Sequence, residues 1–88
     1  MKQFTFILEF RGGTYISQVN TDTIQIALTK WADNLSIDSI QYFGIVSKKE
    51  LQKLMRKEIP TLIHGMNNVW CISGILKSGF FITTIVAA

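Results

Sequence analysis

Eighty-eight residues confine this chain to one domain with one thin core, because a chain of this length buries only roughly 60–65% of its unfolded surface. Hydrophobic residues make up 48% and charged residues 17%, an apolar balance for so short a chain, and the formal charge is +3. The single cysteine, Cys71, excludes an intramolecular disulfide and fits a reducing compartment.

Met1-Lys2-Gln3 runs straight into strand-like alternation, so no signal peptide is expected. The late apolar stretch Phe80 to Ala88 contains two threonines and falls far short of the ~20 residues of a spanning helix. The expectation is a soluble, cytoplasmic protein without a membrane partner. Its apolar excess implies either an unusually complete core or a surface that meets another protein, and we favour the second.

Gly12-Gly13 separates two alternating apolar runs and predicts a β-hairpin from Phe4 to Val19. With these two glycines as the loop, Arg11 faces Thr14, Phe10 faces Tyr15, Leu8 faces Ser17 and Phe6 faces Val19. The strand period of two puts Phe4, Phe6, Leu8, Phe10, Tyr15 and Val19 on a core face. Ile7 and Ile16 lie on the other face, among Thr5, Glu9, Arg11, Thr14 and Gln18.

Thr21-Asp22-Thr23 offers helix caps. Ile24, Ala27, Leu28, Trp31 and Leu35 follow at helical spacing and should pack on the Phe4-Phe6-Leu8 face. A tryptophan at that spacing reads as core packing rather than as a ligand platform. Ser36 to Ser39 reads as a turn. Ile40 to Val46 is either a short strand or a packed connector. Ser47-Lys48-Lys49-Glu50 fits a capping box and starts a second helix that runs to about Glu58, before Pro60. Leu51, Leu54 and Met55 form its buried stripe. Thr61 to Asn68 reads as a loop.

Val69 to Leu76 and Phe80 to Val86 are two further strands, rich in Val, Ile, Phe and Thr, turned by Lys77-Ser78-Gly79. With Ser78-Gly79 as the loop, one face carries Trp70, Ile72, Leu76, Phe81 and Ile85. The other carries Val69, Cys71, Ile75, Ile82 and Val86. A hairpin apolar on both sides is covered on both sides. The helices cover one, and a second copy of the sheet is the simplest cover for the other.

No arrangement of residues in the sequence carries catalytic or metal chemistry. His64 is the only histidine, in a loop before Gly65, so general acid–base and Cys/His or Ser/His nucleophilic schemes would all have to use it, and a dyad with Cys71 is arithmetically possible. A buried cysteine more commonly acts as a small hydrophobe. One cysteine and one histidine do not make a zinc site, and the six carboxylates are scattered. A strand follows Gly12-Gly13, whereas phosphate-binding loops open a helix. The expectation is a non-enzyme without a cofactor.

One charge asymmetry stands out. Residues 48–58 hold five cations (Lys48, Lys49, Lys53, Arg56 and Lys57) against Glu50 and Glu58, and the rest of the chain is balanced. Lys48, Lys49, Lys53 and Arg56 fall within an arc of about 140° on the helix. Phosphate backbones attract such a patch. A solvated helix face is the simpler reading, because the patch has one arginine and no aromatic neighbour for base readout or stacking.

The stretch Gly12 to Val19, Trp31-Ala32 and Asn68-Val69-Trp70-Cys71 resemble a small uncharacterised bacterial family over nearly the whole chain. The hairpin followed by a helix also resembles HicB-type antitoxins over about the first 35 residues. It departs from them where Val19 leads through Asn20 into the helix without their proline- and glycine-containing segment. This resemblance implies fold more than function.

The resulting expectation is an α+β domain in the order ββααββ, a four-stranded, mainly antiparallel sheet with both helices on one face. Ile7, Ile16, Ile75 and Ile82 form the expected interface of a homodimer or of a protein-binding module of antitoxin or immunity type. Nucleic-acid binding through the basic helix is the alternative.

Overall fold

The two ends of the chain pair with each other. In the computed structural model, which describes residues 1–88, β1 (Lys2–Phe10) lies between β2 (Gly13–Thr21) and β5 (Gly79–Ala87). β5 pairs with β4 (Val69–Leu76), and a two-residue strand, β3 (Thr61–Leu62), pairs with the start of β4. Every pairing is antiparallel and the order across the sheet is β2-β1-β5-β4-β3. Two helices, α1 (Ile24–Asn34) and α2 (Gly44–Lys57), connect β2 to β3. The α+β class stands, but the sheet has five strands rather than four and the order is ββααβββ. The extra strand falls in the segment read as a loop from Thr61 to Asn68. Two residues offer no periodicity to read, and Thr61 and Leu62 are strand only through pairing with Cys71 and Trp70.

In both hairpins the loop lies one residue earlier than the sequence expectation, which shifts the cross-strand pairing by two residues. Phe10 faces Gly13, so the first loop is Arg11-Gly12, with φ of 47° and 82°. Positive φ at both central residues is the type I′ geometry that matches strand twist. Gly13 belongs to the strand, and its lack of a side chain serves close packing. A Cβ there would stand 2.5 Å from the Tyr15 hydroxyl. In the second hairpin Leu76 faces Gly79, so the loop is Lys77-Ser78. A shift of two leaves every side chain on its expected face, whereas a shift of one would have inverted the sheet.

The core lies between one face of the sheet and the helices. Phe4, Phe6, Leu8 and Phe10 of β1 are buried, with Ile72 and Leu76 of β4 and Phe81, Thr83 and Ile85 of β5. Trp31 stacks on Phe6 with ring centroids 4.7 Å apart and planes 7° from parallel. The expected stripe of α1 is confirmed: Ala27, Leu28, Trp31 and Leu35 are buried, and Ile24 packs against the core. Thr23 caps the helix, its hydroxyl accepting from the Ile26 N–H at 3.3 Å.

The second helix starts at Gly44, three residues before the expected capping box. Ser47 lies inside the helix, buried, with its hydroxyl bonded to that of Ser78. Glu50 turns to the second hairpin, where both carboxylate oxygens accept from the Lys77 N–H at 3.2 Å. Ile40 and Phe43 explain the earlier start. Both are buried, and Phe43 packs edge-on against Phe10 at 5.6 Å. The connector from residue 36 is therefore packed against the core, with no strand in it.

Candidate interaction surfaces

The helices leave one sheet face uncovered, and the register shows how its side chains meet. Ile16 stands directly opposite Ile7. Ile7 faces Thr84 on β5, so Ile82 and Val86 flank it diagonally. Ile82 sits between Glu9 and Ser73, and one step along the same face Phe80 faces Ile75. All four isoleucines expected at an interface, Ile7, Ile16, Ile75 and Ile82, thus share this face. Ile75 is 83% exposed, Ile16 66% and Phe80 54%, while Ile7 and Ile82 are half-buried by their neighbours. Phe80, which the expected Ser78-Gly79 loop set opposite Lys77, joins this face although it was not among the expected interface residues.

The apolar side chains form an oblique band across four strands. Its polar flank is organised: Gln3 Nε2 donates to Gln18 Oε1 at 3.3 Å, and Gln18 Nε2 donates to Thr5 Oγ1 at 3.1 Å. Cys71 lies on this same face, half-buried opposite Thr84, and so is less covered than the small-hydrophobe reading supposed. His64 is exposed. No three His, Cys, Asp or Glu side chains gather as ligands for a metal ion.

The basic helix face is present in part. Lys49, Lys53, Arg56 and Lys57 are exposed, and Lys48 is half-buried. Arg56 Nη2 lies 4.0 Å from an Asp33 oxygen that also accepts from Gln52 Nε2 at 3.0 Å. One cation of the patch is thus turned toward α1.

A third surface went unread in the sequence. A groove of about 440 Å³ runs beside β2, between that strand and the end of α1 with its following connector. Tyr15, Ser17, Val19, Trp31, Leu35 and Ile40 contribute to its lining. Tyr15 holds the connector at one end, its hydroxyl accepting from the Gln41 N–H at 3.2 Å. Trp31 is only 1% exposed, and its indole Nε1–H has no hydrogen-bond partner. Ser17, small and exposed on the core side of an edge strand, was the one available sign of a gap there.

No helix is long and apolar enough to cross a membrane. In comparisons with protein families, curated proteins and solved structures, nothing matches this chain.

Proposed function

We propose that this chain is a small, non-enzymatic protein-binding module that self-associates through the uncovered face of its sheet. The observation that carries this reading is the oblique band of Ile16, Ile7, Ile82, Phe80 and Ile75. Sheets stack face to face about 10 Å apart by interleaving such side chains. A two-fold axis would set the same band against itself. Strand spacing and rise give the sheet face a flat area on the order of 500 Å². Its corrugated surface approaches the ~800 Å² per partner of a stable interface only if nearly the whole face is covered. An antitoxin or immunity role, with a toxin as the further partner, is the biological setting that this reading suits.

Sedimentation equilibrium tests it. The wild-type chain is expected at twice its monomer mass, and Ile75→Lys with Ile82→Lys at the monomer mass with its fold intact. A wild-type monomer, or an unchanged mass in the double variant, would overturn the interface.

A second reading rests on Lys49, Lys53 and Lys57, which are exposed and make no ion pair. It makes the basic face of α2 a site for a nucleic-acid backbone.

A further inference from the structure

Edge strands present unpaired backbone groups, and soluble proteins blunt them with charge, proline, bulges, brevity or a covering element. β2 shows none of these devices. It has nine residues, Gly13 to Thr21, with no charged residue and no proline. Its register against β1 runs without a bulge. No other strand pairs with its outer side.

The free groups can be identified. The Gln3 carbonyl accepts from the Ala88 N–H at 2.9 Å, so Gln3 and every second residue after it in β1 turn their backbone toward β5. Phe4, Phe6, Leu8 and Phe10 then bond β2 through Val19, Ser17, Tyr15 and Gly13. The N–H and C=O groups of Thr14, Ile16, Gln18 and Asn20 therefore point outward, in the spacing that another antiparallel strand would meet.

The groove lies directly beside these groups. A strand added to β2 would send alternate side chains toward it, over Ser17 and Val19 and against Trp31, Leu35 and Ile40. Its volume of about 440 Å³ is within the range of ligand sites. None of its twelve lining residues is charged, so an uncharged occupant buries no unpaired ion.

We propose that β2 and this groove bind an extended, uncharged peptide segment of a partner protein by strand addition, with an apolar side chain anchored in the groove. Backbone hydrogen bonds supply affinity in this mode, and the groove supplies selectivity. The outward backbone groups and the core-side groove are separate from most of the sheet face proposed for self-association, although Ile16 and Gln18 contribute to both. A module can then be dimeric and still hold its partner.

The test selects random twelve-residue peptides displayed on phage against the purified full-length protein. Enriched peptides are expected to lack charge over the binding stretch and to share an aromatic or aliphatic anchor. On binding, amide protection of the unmodified protein should rise at Thr14, Ile16, Gln18 and Asn20, and the Trp31 indole resonance should shift. Gln18→Pro removes one outward N–H, and with it the side-chain bonds to Gln3 and Thr5, but none of the backbone bonds to β1, and Ser17→Trp fills the groove. Each should weaken peptide binding at least tenfold. Ile75→Lys with Ile82→Lys should leave peptide affinity unchanged, which separates this proposal from the dimer. No enriched peptide, protection confined to β4 or the outer face, or unchanged affinity in both β2 variants would overturn it. So would a Ser17→Trp chain that loses its dimer, because a second copy would then occupy the edge.

Discussion

Arg11 Nη1 donates to the carbonyl oxygen of Ser78 at 3.0 Å and so ties the two hairpin turns together across 67 positions of sequence. The same guanidinium lies 4.5 Å from the centroid of the Tyr42 ring. Arg11 does this from a φ of 47°, a region costing a non-glycine residue about 1–2 kcal/mol. These contacts offset backbone strain that asparagine or glycine would lessen.

Arg11→Ala keeps the strain and loses the contacts. It should lower stability by about 1 kcal/mol. Arg11→Asn suits the turn and should fall between it and the wild type. Urea unfolding measures both, and an Arg11→Ala midpoint equal to wild type would show that the tie contributes nothing in solution.

Thr83 offers a change in the opposite direction. It is fully buried on β5, and its hydroxyl has no partner. Thr83→Val keeps the shape and removes the unsatisfied oxygen, which should raise stability by about 1 kcal/mol. Thr84, half-buried on the other face, is the control, and its valine variant should change little. Thermal and urea unfolding of the pair decide the sign, and a destabilised Thr83→Val chain would point to a bonded hydroxyl.

Gly13 is fixed by Tyr15. A methyl at residue 13 would stand 2.5 Å from the Tyr15 hydroxyl, with ring atoms at 2.8 Å. Gly13→Ala should therefore cost about 1–3 kcal/mol and displace the ring that holds Gln41. Because one clash causes both effects, Gly13→Ala and Tyr15→Ala should combine for much less than the sum of their separate costs. A double-mutant cycle by urea unfolding reads the coupling, and strict additivity would rule out the clash.

The basic face of α2 makes a separable prediction. If it binds a nucleic-acid backbone, affinity should fall steeply between 50 and 200 mM salt, with a logarithmic slope of about 0.9 per duplex phosphate neutralised. Lys49→Glu with Lys53→Glu should abolish it. Fluorescence anisotropy with a labelled duplex tests both, and no binding at the lower salt removes this reading.

Alternation and helical spacing in the sequence determined which residues are buried, because both depend on local geometry that each residue type carries with it. Phe4, Phe6, Leu8, Phe10, Trp31, Leu51 and Ile85 are core in the structure as in the pattern. The shared face of Ile7, Ile16, Ile75 and Ile82 was equally legible, since a register error of two preserves sidedness. What depended on distant partners was not legible. Arg11 takes the turn position because Ser78 and Tyr42 await its side chain. Ser47 becomes a buried contact to Ser78 instead of a cap because Phe43 docks on Phe10 and starts the helix early. Thr61 and Leu62 become strand because β4 lies beside them. The groove under β2 belongs wholly to the tertiary structure: it is space between elements, set by where α1 and the connector come to rest, and only Ser17 hinted at it.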